Sequence, residues 1–304
     1  MGIAALLSLV LLWDIFQATR EIVFLIREKH IPLVVDVARY ADDHQPVAPG
    51  ALVVVEKLHF SPQYYATLGI EPQHWLFRHE TPLGCEPDVW RQICRRILGR
   101  VEHLETLGGD KIYHIFLKCP ATLALGLGAA LGSLHRQVVY QYAEAQYVPV
   151  LDFSRPTREK RAPLQYLKQK LSRPFCNLTV QEPEQWTPDV YVSLNLASHS
   201  AAAFAEVAEA QQAAYVAVQN RYGNRLPLES DWIEVAREAV QAVQGVLQQP
   251  GVKQLHLALS APLPLAWAIG MGLGFQSPVR VYNWYSDRRL YAPVLDLNHI
   301  RQAG

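Results

Sequence analysis

The chain has 304 residues, and its 28 Lys and Arg residues balance 28 Asp and Glu residues, so the formal net charge is zero. This length can bury a large core in one or two domains, while the absence of net charge gives no global attraction to nucleic acid or anionic lipid. The four cysteines form no CxxC pair and no metal-ligand spacing, which favours structural thiols in a reducing compartment.

Residues 1–30 are predominantly apolar. Ile3–Phe16 is interrupted only by Ser8 and Asp14, and a second apolar run follows at Ile22–Ile26. The first run is shorter than the ~20 residues that a membrane-spanning helix needs, and it lacks the basic leader of a secretory signal. We therefore expect a cytoplasmic protein whose amino-terminal helix packs on the body, on another subunit or on an effector, with membrane association as the alternative.

The next elements are predicted from local apolar patterns. Ile31–Val37 predicts a strand, Ala51–Val55 a second strand, and Asp88–Leu107 an amphipathic helix. Glu56 and Lys57, directly after a predicted strand, resemble part of a nuclease site. The carboxylates around them lack the spacing that holds Mg²⁺, so the sequence argues against a nuclease and predicts no metal.

The rest of the chain contains an internal repeat. Most of the sequence pattern of Lys111–Ser154 recurs at Lys253–Asn298. Matching order, residue type and spacing over this length indicate duplication. One constant offset aligns His114 with His256, Pro120 with Pro262, Gly128 with Gly270, and Tyr140 with Tyr282. Tyr147–Asp152 and Tyr291–Asp296 then align after a two-residue insertion in the second copy. Two copies indicate a domain with pseudo-two-fold symmetry.

Each copy predicts the same unit. A short apolar strand ends at a proline, and a helix rich in glycine and alanine follows; proline suits the first helical turn, where an N–H would lack a partner. A second strand and a closing hairpin complete the unit. The predicted fold is α/β, with two fused Rossmann-like halves that each contain a mostly parallel sheet and a carboxyl-terminal hairpin.

Between the copies, Arg155–Arg173 is basic and contains prolines, which is typical of a linker with a solvated face; a lid over an anionic ligand is the alternative. In the second half we predict a strand at Val190–Leu196, a helix at Ala201–Val218, and a helix at Asp231–Leu247 with Asp231 or Ser230 as N-cap. The predicted divisions are residues 1–30, 31–154, 155–188 and 189–304.

Ligand-binding candidates lie where the predicted strands end, because open α/β sheets bind ligands beyond the carboxyl ends of their strands. Two of these loops open directly into helices, whose free N–H groups favour a phosphate. Halves related by a pseudo-two-fold axis would bring the loops face to face around a roughly symmetric polyanion. The candidates are Arg39, Tyr40, Lys118, Cys119, Pro120, Thr122, Ser198, His199, Ser200, Ser260, Ala261 and Pro262.

The repeated pattern of apolar strand, proline, small-residue helix and closing Tyr-x-Pro-Val-Leu-Asp resembles the SAVED family, a sensor domain of two fused CARF-like halves. The resemblance covers about residue 31 to the end. It implies binding of a cyclic oligonucleotide, with a tri- or tetranucleotide favoured, of the kind made in CBASS or type III CRISPR antiphage defence. It adds Tyr142 and Trp284 as base-stacking groups. It further implies self-association, a separate effector or a membrane as the output, no cofactor and no duplex nucleic acid.

Three alternatives come from other functional classes. A ring nuclease would use His199 or Lys118 to assist attack by a ribose 2′-hydroxyl, and a scaffold subunit would bind no ligand. A nicotinamide enzyme is disfavoured because Gly126-x-Gly128 is an incomplete motif inside a helix, beyond the turn that contacts phosphate. We expect a sensor and not an enzyme.

Overall fold

The computed structural model describes residues 29–38, 48–57, 61–67, 69–132, 136–154, 163–170, 174–197, 201, 203–223, 226–228 and 230–301. The predicted amino-terminal helix lies almost wholly outside these ranges. Among the described helices, none combines the length and the apolar character that a bilayer crossing requires.

The structure divides into two halves, each built on one sheet. The first half contains β1 (Lys29–Val37), α1 (Ala48–Glu56), α2 (Pro62–Ala66), α3 (Pro72–Trp75), β2 (Leu76–His79), α4 (Pro87–Thr106), β3 (Lys111–Lys118), α5 (Ala121–Leu131), β4 (Arg136–Ala143) and β5 (Gln146–Asp152). A helix between the halves, α6, spans Pro163–Lys168. The second half contains β6 (Leu178–Gln181), β7 (Asp189–Asn195), α7 (Phe204–Ala210), β8 (Ala214–Asn220), α8 (Trp232–Leu247), β9 (Gln254–Ser260), α9 (Leu263–Leu273), β10 (Val279–Tyr285) and β11 (Leu290–Asp296).

Both sheets have the same topology. The first has the order β2-β1-β3-β4-β5 and the second the order β6-β8-β7-β9-β10-β11. In each half four strands run parallel and the last returns antiparallel, while β6 adds an antiparallel edge strand to the second sheet. The predicted α/β class and the two Rossmann-like halves with closing hairpins are confirmed.

The halves meet where α5 crosses α9. A Cβ atom on Gly128 would lie 2.0 Å from the carbonyl oxygen of Trp267, and one on Gly270 would lie 2.0 Å from that of Leu125. The repeat offset converts Gly128 into Gly270 and Leu125 into Trp267, so the two contacts exchange under the internal symmetry. The pseudo-two-fold axis therefore passes through this crossing, where only glycine permits such close backbone approach.

Buried hydrogen bonds also join the halves. The indole N–H of Trp267 donates to Oε1 of Gln137 at 2.7 Å, and the hydroxyl of Thr122 donates to the carbonyl of Tyr282 at 3.2 Å. Because buried polar groups without partners are destabilising, these bonds tie the orientation of the two sheets to the folding of the core.

The prediction of a strand at Ala51–Val55 is wrong, since these residues lie within α1. Ala51 and Val55 are fully buried, whereas Val53 is 56% exposed. In a strand these three residues would lie on the same face, so all would be buried or all exposed. In a helix the residues four apart share a face and the middle one does not, as observed here. The run of valines suggested β structure, but packing of α1 against the sheet determined the outcome.

The prediction of one helix over Ala201–Val218 is also wrong. Helix α7 ends at Ala210, and Gln212 adopts the left-handed conformation with φ of 52°. Strand β8 follows and pairs with β7 in parallel. The alanines and glutamines favoured a helix, whereas the run Ala214–Val218 has the β-branched character of a buried strand. Strands β2 and β6 were not predicted.

Other predicted elements are confirmed within a residue or two. Strand β1 covers Ile31–Val37, α4 covers almost all of Asp88–Leu107, and β7 covers most of Val190–Leu196. Helix α8 begins as predicted after Asp231, whose carboxylate accepts a hydrogen bond from the N–H of Glu234 at 3.1 Å.

The described part of the basic linker is anchored on the second half. Leu167 of α6 is fully buried, and the hydroxyl of Tyr166 donates to Oε2 of Glu234 at 2.6 Å. A Cβ atom on Gly274, just beyond the end of α9, would lie 3.7 Å from Nζ of Lys168. Residues 155–162 and 171–173 of the predicted linker lie outside the described residues, so a lid over an anionic ligand stays a prediction.

Candidate functional site

In the first half, three charged side chains stand side by side where β1, β2 and β3 end. The strand register pairs Asp36 with Arg78 on one side and with Lys118 on the other. Nζ of Lys118 lies 3.8 Å from Oδ1 of Asp36, and Nε of Arg78 lies 3.7 Å from Oδ2. The side chains of Asp36 and Lys118 are only 8% and 12% exposed, whereas that of Arg78 is 48% exposed. We call these three residues the charged edge.

In the second half, uncharged polar side chains occupy the same positions. The register pairs Asn195 of β7 with Ser260 of β9 and with Gln219 of β8. Asn195 is held in place, because its Oδ1 accepts from the N–H of Ala201 at 2.6 Å and its Nδ2 donates to Oγ of Ser193 at 3.2 Å. We call Asn195, Gln219 and Ser260 the neutral edge.

The two strand-end loops lead into helices as predicted. Pro120 and Pro262 are the residues just before α5 and α9, and both are partly exposed, as are Ser260 and Ala261. The first-turn N–H groups of each helix therefore point toward the edge at which its own strand ends, where they favour an anion.

Cys119 and Thr122 take a different place from the one predicted. Cys119 is fully buried, and Thr122 is 3% exposed with its hydroxyl engaged by the Tyr282 carbonyl. Neither side chain is accessible from solvent, so both serve packing and the contact between halves. Their position next to a strand end suggested a site, but the turn into α5 directs their side chains inward.

Each half also presents an exposed aromatic pair. Tyr142 near the end of β4 is 55% exposed and lies 5.1 Å, between ring centroids, from Tyr147 of β5. Trp284 near the end of β10 is 42% exposed and lies 4.9 Å from Tyr291 of β11. The repeat relates Tyr142 to Trp284 and Tyr147 to Tyr291. Two aromatic surfaces thus stand at equivalent places, one in each half.

The helix crossing brings these features together. Thr122 lies in the first turn of α5 and contacts the Tyr282 carbonyl, two residues before Trp284 in β10. The β3–α5 loop of the first half therefore lies beside β10 of the second half, the strand that contains Trp284. Helix α9 of the second half contacts β4 of the first, as the pseudo-symmetry requires. The carboxyl ends of the two sheets therefore adjoin the same helix crossing.

Tyr147 connects the aromatic pair of the first half to the charged edge. Burial raises the pKa of its phenol, and the nearby Tyr142 and Asp36 raise it further. The phenol is therefore neutral at physiological pH, so it can donate a hydrogen bond and present an uncharged ring face. Tyr147 was not predicted as part of a site, and neither were Asp36 and Arg78 of the charged edge. The strand register, which the sequence does not reveal, brings Asp36 and Arg78 together.

The duplicated histidines are structural. Nδ1 of His114 lies 2.8 Å from the hydroxyl of Tyr140, and Nδ1 of His256 lies 3.0 Å from that of Tyr282. Both histidines are buried. Burial, together with neighbouring His30, lowers the pKa of His114 to about 4, so this imidazole is neutral at physiological pH. Being closed off from solvent, the two rings cannot contact a ligand at the sheet edges.

The remaining predicted residues, Arg39, Tyr40, Ser198, His199 and Ser200, lie outside the described residues. Within the described ranges, no group of three His, Cys, Asp or Glu side chains is arranged to hold a metal ion.

An open surface cavity of about 480 Å³ lies elsewhere in the described structure, against the outer strand β6. It is lined by Pro174, Phe175, Leu178, Thr179, Val180 and Arg221. It contains a single charged side chain and neither aromatic pair, so the chemistry of the carboxyl edges identifies the candidate site better than cavity volume does.

Comparison with known proteins agrees with this fold. Residues 167–297 match the SAVED family model, described as the SMODS-associated and fused to various effectors sensor domain. No curated protein matches the chain.

Solved structures of Acinetobacter baumannii Cap4 SAVED/CARF-domain containing receptors share the fold. The receptor with the cyclic trinucleotide 3′3′3′-cAAA superposes with a TM-score of 0.53 and 13% identity, and the one with 2′3′3′-cAAA with a TM-score of 0.54 and 13% identity. Each match covers 90% of this chain and 52% of the receptor, so this chain spans about half the length of those proteins.

Proposed function

We propose that this chain, which carries a SAVED sensor domain at residues 167–297, binds a cyclic oligonucleotide between its two halves and relays that binding to an effector through self-association. The observation that carries the proposal is the meeting of two equivalent strand-end loops and two exposed aromatic pairs around one helix crossing. A ligand that repeats phosphate, ribose and base around a ring fits a site that repeats its own groups.

Phosphate binding is supported at the loops. The helices α5 and α9 each begin at a strand end, and free N–H groups at helix amino ends favour anions. Lys118 adds a positive charge beside the first of them. A charge-assisted hydrogen bond to phosphate is worth about twice a neutral one, which favours a polyanionic ligand over a neutral one.

Base binding is supported by the aromatic pairs. Tyr142 and Trp284 are exposed, and each ring contacts a second tyrosine ring at a tilted angle, Tyr147 and Tyr291 respectively. Stacking of a nucleobase on an aromatic side chain contributes about 1–3 kcal/mol per base. Two such surfaces, one per half, suit a small cyclic oligonucleotide better than a mononucleotide, which could use only one of them.

The similar solved structures support our proposal for ligand size and biological role. The similar Cap4 receptors contain cyclic trinucleotides, which favours a cyclic tri- or tetranucleotide here. We place the chain in CBASS or type III CRISPR antiphage defence, in the cytoplasm, with a separate effector or a membrane as the recipient of the signal. We propose a receptor and not an enzyme. The ring-nuclease alternative would use Lys118, which lies at the charged edge, or His199, which lies outside the described residues, so the state of the ring after incubation distinguishes the two.

The test is a thermal-shift panel of cyclic di-, tri- and tetranucleotides, including 3′3′3′-cAAA, with the linear trinucleotide as control. A ligand present at 100 times its dissociation constant stabilises the native state by about 2.7 kcal/mol, which raises the melting temperature by roughly 5 °C or more. We expect a ring-specific shift and an intact ring after incubation. If no ring shifts the melt at saturating concentration, the proposal is refuted.

A further inference from the structure

We propose that the two halves bind chemically different parts of the ring: the charged edge of the first half holds a phosphate, and the neutral edge of the second half hydrogen-bonds to a ribose or base. This inference rests on the proposed function and concerns how the ligand is oriented within the site. Its consequence is that the ring binds with one defined polarity although the scaffold is nearly symmetric.

The two copies of the repeat differ in charge where their strands end. The offset that aligns the two copies places Lys118 on Ser260. The strand registers extend this correspondence, because Asp36 and Asn195 occupy the same position on the first strand of each half. Arg78 likewise corresponds to a residue of β8, Gln219. All three positions at one edge are charged, and all three at the other are neutral.

The charged edge can accept a phosphate without losing its own organisation. Asp36 is nearly buried between two cations whose nitrogens lie 3.7 and 3.8 Å away, so one carboxylate positions two positive charges. Arg78 is half exposed and also lies 3.9 Å from the largely exposed Glu80. A surface ion pair of that kind contributes about 0–1 kcal/mol, so a phosphate can replace Glu80 as the partner of Arg78.

The neutral edge has different chemistry. Serine and amide side chains donate and accept hydrogen bonds without carrying charge, which suits ribose hydroxyls and base edges. Asn195 already uses its carbonyl oxygen and its amide nitrogen within the protein, which leaves Ser260 and Gln219 to face the ligand. Of these three residues none would give a phosphate a charge here, so it would gain the amino end of α9 alone. At the charged edge it gains the amino end of α5 and the net charge of +1 that Arg78, Lys118 and Asp36 carry together.

The experiment measures how the affinity for 3′3′3′-cAAA, or for another ring that stabilises the wild type, depends on salt. We compare the wild type with Lys118→Ser, which installs the residue of the other half, and with Ser260→Ala. Lys253→Ser is the matched control, because it removes the same charge from an exposed residue at the opposite end of β9. The melting temperature of each ligand-free variant shows whether it folds.

Lys118→Ser is expected to weaken binding about 5- to 100-fold at low salt and to reduce the slope of log affinity against log salt by up to about 0.7. Lys118→Arg keeps the slope. Ser260→Ala weakens binding without changing the slope, and Lys253→Ser changes neither quantity. Should Lys118→Ser fail to fold, the half-exposed Arg78 provides a second variant, Arg78→Gln, with the same expected loss of slope.

Two results would overturn the inference while leaving the proposed function intact. In the first, Lys118→Ser has the same slope of log affinity against log salt as the wild type. In the second, Ser260→Ala loses as much of that slope as Lys118→Ser does. Failure of every ring in the panel to bind the wild type would instead refute the proposed function and, with it, this inference. The two failures are therefore distinguishable by the wild-type measurement alone.

Discussion

Replacement of Gly128 by alanine tests the helix crossing on which the site depends. The added Cβ would lie 2.0 Å from the Trp267 carbonyl oxygen, and backbone atoms, unlike the end of a flexible side chain, cannot swing away. To reach the 3.4 Å of ordinary contact, α5 and α9 must separate by about 1.4 Å if nothing else yields. Gly270→Ala creates the equivalent clash with Leu125 and is expected to behave in the same way.

The magnitude follows from two opposing effects. Overpacking of a well-packed core costs about 1–3 kcal/mol and occasionally more, and here the clash is with backbone. Alanine recovers up to about 1 kcal/mol through its better helix propensity. Because backbone cannot yield, we take the upper end of that cost, about 3 kcal/mol, and subtract the gain in propensity. Each substitution is therefore expected to lower the free energy of unfolding by about 2–3 kcal/mol. The double variant should lose less than the sum, because one separation of the helices relieves both clashes.

The assay is urea unfolding followed by circular dichroism, with Gly99→Ala in α4 as the matched control. A Cβ atom on Gly99 meets nothing within 4 Å, so this helical glycine should give a stabilisation of about 0.5–1 kcal/mol on replacement. A stability of Gly128→Ala within 0.5 kcal/mol of the wild type would refute the close crossing, as would equal effects of Gly128→Ala and Gly99→Ala.

Three further predictions concern other parts of the molecule. Tyr142→Ala and Trp284→Ala should each weaken binding of the cyclic oligonucleotide by about 1–3 kcal/mol through lost stacking, as measured by calorimetry. Tyr142→Phe, which keeps the aromatic side chain, should bind normally. Normal affinity of both alanine variants would show that the aromatic pairs are not part of the site. Because the pKa of His114 is lowered from its ordinary 6.5 to about 4, the unfolded state binds the extra proton, and stability should be lost as the pH falls from 6.5 to 4. Urea unfolding at pH 6.5 and pH 4 measures how much stability each protein loses. His114→Gln should lose about 2–3 kcal/mol less than the wild type, and equal losses in the two proteins would contradict the lowered pKa of His114. Glu238→Ala should destabilise the protein by about 3 kcal/mol or more, since its buried carboxylate accepts three backbone N–H groups and one side-chain amide from residues 176–178, where β6 begins. An unchanged urea midpoint would show that other contacts hold these residues.

The repeat was the part of the sequence that predicted structure best. Glycine and proline positions in the two copies mark where helices start and where backbones touch, and those requirements are local. The crossing of α5 and α9 explains why Gly128 and Gly270 recur: each lies against the backbone of the other copy. A pattern that reflects close packing between copies therefore predicts both the fold and its symmetry.

Composition was a poorer guide where tertiary packing decides the element. Three consecutive valines suggested a strand before Glu56, yet the chain forms a helix that covers the sheet. Alanine and glutamine suggested that α7 continues, yet the chain reverses at Gln212 and enters β8. In both places the neighbouring sheet supplies contacts that outweigh intrinsic propensity.

The positions of some candidate residues could be predicted from the sequence, and those of others could not. Lys118, Ser260 and the two exposed aromatics lie at the edges where sequence reasoning placed them. Cys119 does not, because its side chain turns into the core. The residues that give the first edge its charge come from three strands that are distant in sequence, and only the parallel register brings them together.

Isothermal titration of the wild-type protein with the ring that gives the largest thermal shift tests the central claim most directly. One composite site between the two halves of one chain predicts a stoichiometry of one ring per chain. Two rings per chain would mean that each half binds a ring alone, and one ring per two chains would place the site between subunits. Either result, or the absence of binding, would contradict the account.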